Sequence, residues 1–155
     1  KVIRNSFFFI PEKIKALKNS LGEQAILLSE LTESKASLDA MVLIIDQIGL
    51  LSKIYRYGSV ALVGGGFGSG IHNVLEAAVY GCPPIFGPNY KKFQEAPDLI
   101  EVGGAFSVAN YSAFKKITQR LLSEPSFYEK TSAIAQSYVE NHSGATEQIY
   151  QQVFN

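Results

Sequence analysis

The fold of this chain is decided by residues 60–88, which read VALVGGGFGSGIHNVLEAAVYGCPPIFGP. The stretch opens with one apolar run and closes with another around Ile85. Apolar runs of strand length that are flanked by glycine and rich in branched residues are typical of the central strands of a parallel sheet. Between them lie a glycine-rich segment and a short helix that is predicted to begin near His72. This order predicts a βαβ unit with a right-handed crossover.

Residues 64–70, which we call the glycine loop, contain five glycines. Glycine permits positive φ and lets a ligand approach bare backbone. A helix that begins near His72 would point its unpaired N–H groups and the positive end of its dipole at whatever lies over the loop. Such a place suits a phosphate or a carboxylate, so the sequence predicts an anion-binding pocket. A plain tight turn after a strand is the alternative, but it needs fewer glycines.

Two familiar glycine motifs do not fit the glycine loop. A phosphate-binding P-loop has Lys directly after its last glycine, and here Ile71 follows Gly70. A dinucleotide fingerprint that starts at Gly64 needs a third glycine where Ser69 stands, and the acidic residue expected after the next strand is missing. The loop therefore favours neither an ATPase nor an NAD enzyme.

The composition is that of one ordinary domain, or of one lobe of a larger enzyme. The chain has 155 residues, of which 46% are apolar and 18% charged. Fourteen basic and fourteen acidic residues cancel, so we expect no nucleic-acid partner. The single Cys82 rules out a disulfide framework, which fits a reducing compartment. With only His72 and His142 beside it, no zinc set is complete, so we expect no metal.

The remaining sequence alternates strands with helices, which predicts one α/β domain with a parallel sheet. Phe7–Ile10 is very apolar and is assigned to a core strand, with an interfacial membrane contact as the alternative. The predicted strands cover residues 2–10, 25–28, 41–45, 60–63 and 105–108 besides the run around Ile85. The predicted helices cover residues 12–21, 50–57, 92–102 (interrupted or kinked at Pro97), 111–123, 125–141 and 144–154. Residues 32–38 are predicted to be a loop or a helical turn.

Three polar loops follow predicted strands: Asp46–Gly49, Gly64–Asn73 and Gly87–Lys91. Parallel sheets bind ligands beyond the carboxyl ends of their strands. We therefore expect the three loops to converge on one site.

Several short motifs in the middle of the chain occur in a fixed order. They are Asp46-Gln-Ile-Gly49, Val63-Gly-Gly-Gly-Phe-Gly68, His72-Asn73-x-Leu75-Glu76 and Phe86-Gly87-Pro88-Asn89 with Phe93. Together they resemble the C-terminal half of the Kdo (3-deoxy-D-manno-octulosonate) transferases of lipopolysaccharide assembly. The forms Gly-Gly-Gly-Phe-Gly and Gly-Pro-Asn-Tyr-Lys-Lys-Phe are similar to the Bacteroidetes branch. One departure is that Ile71 stands where the family usually has glycine before His-Asn.

The resemblance implies a Rossmann-like parallel sheet flanked by helices, as in the C-terminal lobe of a GT-B glycosyltransferase. Residues 1–155 are then expected to be a nucleotide-sugar (donor) binding domain, a fragment that lacks the N-terminal acceptor domain. It also implies CMP-Kdo as the donor, inverting transfer of Kdo to a lipid A precursor, and no metal or cofactor.

In that family the catalytic base and the membrane contact belong to the N-terminal part. We therefore expect the fragment to be soluble and inactive alone. The full-length enzyme is expected at the cytoplasmic face of the bacterial inner membrane.

The resemblance also implies a set of donor-binding residues, and the residues themselves allow plainer roles. Glu76 accepts the ribose hydroxyls, or it is an acid placed favourably near a helix start. Asn73 contacts the sugar carboxylate or phosphate, or caps the helix. His72 bonds a phosphate or the local backbone. The full set is Gly64, Gly65, Gly66, His72, Asn73, Glu76, Ile48, Gly49 and Asn89.

The last three members of that set lie outside the central stretch or at its end. Ile48 and Gly49 are expected to flank the cytosine ring, or they form a routine turn. Asn89, with Lys91 and Lys92, is expected to meet the acidic donor sugar, or the lysines are solvated surface. Two other functions stay open: the donor lobe of a GT-B transferase or epimerase that uses a UDP-sugar, and a non-catalytic α/β binding module.

Overall fold

The structure, a computed structural model, describes residues 2–4, 11–31 and 39–144. The chain divides into two compact units, Phe7–Ile54 and the remainder, which consists of Lys1–Ser6 and Tyr55–Asn155. We call these the smaller and the larger unit. The sequence predicts one donor-binding domain over residues 1–155. That the two units act together as this domain stays a prediction.

The strands and helices are numbered in chain order. The strands are β1 (Val2–Arg4), β2 (Ala25–Leu27), β3 (Val42–Ile44), β4 (Val60–Val63), β5 (Pro84–Phe86) and β6 (Phe106–Ser107). The helices are α1 (Pro11–Leu21), α2 (Leu51–Ile54), α3 (Leu75–Ala78), α4 (Glu95–Val102), α5 (Tyr111–Ser123) and α6 (Pro125–Asn141).

The larger unit is built on a parallel sheet with the strand order β1-β4-β5-β6. In the register of its central pair, Ala61 lies beside Pro84 and Val63 beside Phe86. One face of the sheet contributes Val63 and Phe86 to a buried cluster with residues of α3, α4 and α6. The other face contributes Val60 and Ile85 to a second cluster, against which α5 packs. Helices thus cover both faces, as the buried apolar strands require.

The smaller unit contains a parallel pair, β2 and β3, with α1 in contact with β2. Ala25 and Ile44 are buried in it. The sequence predicts a fully apolar buried strand over residues 41–45, but β3 is shorter, and Leu43 is 47% and Met41 76% exposed.

Helix boundaries agree best in the last part of the described chain, where α5 and α6 begin and end at the predicted residues. The predicted kink at Pro97 is wrong, because α4 begins only at Glu95. Pro97 therefore lies in the first turn, where its missing N–H leaves no intrahelical hydrogen bond unmade. The predicted strand and loop segments at residues 5–10 and 32–38, and the predicted helix beyond Gly144, lie outside the described residues.

Candidate functional site

The glycine loop leaves the carboxyl end of β4 and closes on itself. The carbonyl oxygen of Gly65 accepts hydrogen bonds from the N–H of Gly68 at 2.8 Å and of Gly70 at 3.2 Å. Gly65 has φ +86°, and a Cβ on it would lie 2.0 Å from the Gly70 oxygen. No other residue type fits this position without moving the loop. Part of the glycine content is therefore explained by the loop's own closure.

The loop after β5, residues 87–91, is packed against the glycine loop. A Cβ on Gly66 would lie 2.6 Å from the Gly87 nitrogen, and one on Gly87 would lie 2.4 Å from the Gly66 carbonyl carbon. Asn89 joins the loops further, since its backbone N–H donates to the Gly66 oxygen at 2.9 Å and its Nδ2 to the Gly68 oxygen at 2.7 Å. The structure thus brings together two of the three loops that the sequence predicts to converge.

The third loop, Asp46–Gly49, belongs to the smaller unit. Ile48 exposes 84% of its surface, and Gly49 has φ +86° with open space where a Cβ would stand. Asp46 accepts hydrogen bonds from the backbone N–H of Ser29 at 3.0 Å and from its hydroxyl. The hydroxyl bond is the main cause that holds the pKa of Asp46 below its usual value. Asp46 therefore ties the ends of β2 and β3, and the role of Ile48 and Gly49 beside a cytosine ring stays a prediction.

The segment that precedes α3 differs from expectation. The helix spans only Leu75–Ala78, so the prediction of a helix that begins near His72 is wrong. The reason is Asn73, whose Oδ1 accepts the N–H of Leu75 at 2.9 Å and so gives the backbone a non-helical alternative. A helix of this length carries little macrodipole, because the dipole is the sum of many aligned peptides. Any attraction for an anion must come from loop amides and side chains.

Asn73 also contacts the side chain of Glu76. Its Nδ2 lies 3.4 Å from Oε1 of Glu76, which is half-buried, while Asn73 is exposed. The N–H of His72 donates to the Gly64 oxygen at 3.1 Å, which fastens this segment to the glycine loop. Asn73 thus binds the backbone at the first residue of α3 and the side chain of Glu76 within it, although the residue at the N-cap position is Val74, which has no side-chain cap. Donor contacts of His72, Asn73 and Glu76 stay predictions.

A groove with a volume of about 270 Å³ opens beside the glycine loop, and sequence reasoning missed it. It is lined by Leu62, Phe67, Val108, Asn110, Tyr111 and Phe114. Phe67 is 60% and Tyr111 75% exposed. The signal that sequence reasoning missed is Phe67, an aromatic residue inside the glycine loop. The glycines around it have no side chains that could bury it, so it lines the groove instead.

Neither a metal centre nor a membrane span is found in the described residues. Within residues 11–31 and 39–144, no group of three or more His, Cys, Asp or Glu side chains is placed to hold a metal ion. In the same part of the chain, no helix is both long and apolar enough to cross a membrane.

Comparison with known proteins places this geometry among glycosyltransferases. No protein-family model matches the chain. The 3-deoxy-D-manno-octulosonic acid transferase of Aquifex aeolicus is 31% identical over 156 residues, which cover 90% of this chain and 44% of that protein. That of Bordetella pertussis is 34% identical over 107 residues, which cover 68% of this chain and 25% of that protein. The relatives of this chain are Kdo transferases. The chain spans less than half the length of both.

Solved structures agree with these sequence relatives. The C-terminal CMP-Kdo binding domain of WaaA from Acinetobacter baumannii is similar with a TM-score of 0.71 and 26% identity, over 84% of this chain and 69% of that one. The calicheamicin glycosyltransferase CalG4 is similar in fold alone, with a TM-score of 0.51 and 16% identity, over 95% of this chain and 40% of that one. The fold is that of the C-terminal domain of GT-B glycosyltransferases, parallel sheets flanked by helices, and the predicted fold class is confirmed.

Proposed function

We propose that this chain binds CMP-Kdo and acts as the donor-binding part of an inverting glycosyltransferase that transfers Kdo to a lipid A precursor. The observation that carries the proposal is its likeness to the CMP-Kdo binding domain of WaaA over 84% of the chain. The two packed loops lie at the carboxyl ends of β4 and β5, which is where parallel sheets bind ligands.

The proposed contacts follow from the donor's chemistry. A ribose offers two neighbouring hydroxyl groups as hydrogen-bond donors, and a carboxylate that accepts both is the matching partner. Glu76 is such a group, half-buried and oriented by Asn73. Gly64, Gly65 and Gly66 place backbone close to the phosphate or the Kdo carboxylate, and His72 stands at the end of the same loop. No metal is required in this proposal, because peptide and side-chain donors meet the anionic charge.

The proposal for the whole reaction goes further than these residues. We place the catalytic base, the acceptor contacts and the membrane contact outside residues 1–155, at the cytoplasmic face of the inner membrane, as the family resemblance implies. An origin in the Bacteroidetes is proposed on the forms of residues 64–68 and 87–93.

Titration of the chain with CMP, UDP and NAD, followed by NMR or calorimetry, tests the proposal. We expect CMP to bind with a dissociation constant of about 1 mM or lower, and more tightly than UDP or NAD. Glu76→Ala should weaken CMP binding by about tenfold or more, because a carboxylate that accepts the ribose hydroxyls contributes on the order of 1.5–3 kcal/mol. Glu129→Ala is the matched control, since Glu129 is an exposed residue of α6.

Two other results would redirect the proposal. A preference for UDP would assign the chain to a GT-B enzyme with a UDP-sugar donor. No binding of any nucleotide, with the chain folded, would favour a non-catalytic α/β module.

A further inference from the structure

Asn89 holds the glycine loop by two of its carbonyl groups. The backbone N–H of Asn89 donates to the oxygen of Gly66 at 2.9 Å, and its Nδ2 donates to the oxygen of Gly68 at 2.7 Å. Both carbonyl groups therefore point toward the same residue. Gly66 and Gly68 are two positions apart, so Asn89 holds alternate peptide units of the glycine loop, both from the same side.

Because the peptide is planar and trans, the direction of these two carbonyl groups also fixes the direction of two N–H groups. Within one peptide unit, the carbonyl oxygen and the N–H of the following residue point in opposite directions. When Asn89 binds the oxygens of Gly66 and Gly68, the N–H groups of Phe67 and Ser69 are directed away from Asn89. Both residues are exposed.

The remaining amides of the loop differ from these two. Gly68 and Gly70 donate their N–H groups to the Gly65 oxygen. Within the part of the chain that the structure describes, the N–H groups of Phe67 and Ser69 have no such acceptor. Two N–H groups that leave the same side of one turn are backbone donors of the kind that anions accept.

Gly87 fixes the first of these peptide units in its orientation. A Cβ on Gly87 would lie 2.4 Å from the carbonyl carbon of Gly66, 2.5 Å from its oxygen and 2.7 Å from the nitrogen of Phe67. All three atoms belong to the peptide that joins Gly66 to Phe67, so Gly87 packs directly against that peptide. Gly87 therefore lets the backbone after β5 lie directly against this peptide, where any side chain would collide with it.

We infer that Asn89 is a positioning residue, which aims the N–H groups of Phe67 and Ser69 at the phosphate of the bound nucleotide. The inference rests on the proposed donor site and changes two of its parts. Asn89 acts through the loop rather than by touching the donor, and the phosphate donors are Phe67 and Ser69 rather than Gly64, Gly65 and Gly66.

Asn89→Asp tests the inference, because it keeps the shape of the side chain and replaces the N–H donor by an acceptor that repels the Gly68 oxygen. We expect its affinity for CMP to fall about tenfold, as for the loss of one or two charge-assisted hydrogen bonds. Its affinity for cytidine, which has no phosphate, should change less than about twofold. Gln119→Glu, the same chemical change at an exposed position of α5, should leave both affinities unchanged.

A pH series adds a readout that a purely structural role would not move. The introduced carboxyl has an ordinary pKa of about 3.9, and in its protonated form it again donates to the Gly68 oxygen. The deficit in CMP affinity relative to the wild type at the same pH should therefore shrink as the pH falls toward 4. A deficit independent of pH, or an equal loss of cytidine and CMP affinity, would overturn the inference.

Amide NMR signals separate failure of the inference from failure of the proposed function. Addition of CMP or of inorganic phosphate should shift the Phe67 and Ser69 signals of the wild type most, and Asn89→Asp should reduce these shifts. If CMP does not bind but phosphate still moves these two signals, and moves them less in Asn89→Asp, the proposed function fails and the positioning role of Asn89 stands. If neither ligand moves them, the inference is wrong.

Discussion

The two parallel sheets differ in what surrounds their apolar strands. In the larger unit, all three residues of β5 are buried, and helices pack on both faces of the sheet. In the smaller unit, β3 also reads as an unbroken apolar run, yet Leu43 is 47% exposed. A two-stranded pair offers few neighbours for the side chains on its faces. The comparison teaches that an apolar run predicts a strand, whereas its burial depends on how many elements pack around it.

The largest expected effect is the difference in stability lost when one apolar side chain is shortened in each sheet. Ile85 is fully buried in β5, so Ile85→Ala should lower the free energy of unfolding by about 3 kcal/mol through lost burial and the remaining cavity. Leu43→Ala in β3 should cost about 1 kcal/mol or less, because much of its side chain already meets water. Urea denaturation of both variants measures the difference. Equal losses would show that the two sheets have equally packed cores.

A second effect tests whether the larger unit is specified by its loops as well as by its core. Gly87→Ala should cost about 2–3 kcal/mol, because its Cβ meets backbone of Gly66 that cannot move without opening the glycine loop. Gly68→Ala is the control, since a Cβ there meets nothing nearer than the Gly65 oxygen at 3.6 Å. We expect this control to change stability by less than about 1 kcal/mol. A Gly87→Ala variant as stable as the control would mean that the two loops are not in contact in solution.

These contrasts also separate what sequence predicts from what it does not. The bounds of α5 and α6 follow from local signals: Asn110 accepts the N–H of Ala113 as a cap, and Pro125 begins α6. The start of α3 is also local, but the turn in which Asn73 accepts the N–H of Leu75 competes with an equally reasonable helix start at His72.

The contacts between the two loops are not local. The approach of Gly66 to Gly87 depends on how β4 and β5 pair, and no short-range pattern reports it. The glycine-rich sequence therefore indicates a ligand site and a close backbone contact equally well. The family motifs predict the region of the candidate site, whereas the proposal that the Phe67 and Ser69 N–H groups act there rests on the hydrogen bonds of Asn89.

A third effect uses the buried thiol of the larger unit at alkaline pH. Burial raises the pKa of Cys82 from 9.0 to about 12. Below the lower value the thiol is protonated in both states. Between the two values only the unfolded chain ionises, so folding stability falls as the pH rises. The stability difference between wild type and Cys82→Ala should change by up to about 1.4 kcal/mol per pH unit above pH 9. A difference that stays constant up to pH about 10.5 would contradict the burial of the thiol.

The smallest effect concerns the smaller unit at acid pH and has the opposite sign. The hydroxyl of Ser29 is the main cause that lowers the pKa of Asp46 from 3.8, so this contribution to stability is present above that value and is lost as the pH falls through the lowered one. Ser29→Ala should raise the Asp46 pKa toward 3.8, while Ser20→Ala should not, because that hydroxyl donates to the Leu17 carbonyl. An NMR titration of the Asp46 carboxyl measures the shift. An Asp46 pKa that is lower in the wild type than in Ser29→Ala would show that a hydrogen-bonded carboxylate joins the strand ends of the smaller unit. In the larger unit, glycine contacts join the loops at the strand ends. An unchanged pKa in Ser29→Ala would mean that Asp46 is free of this role and available to a ligand.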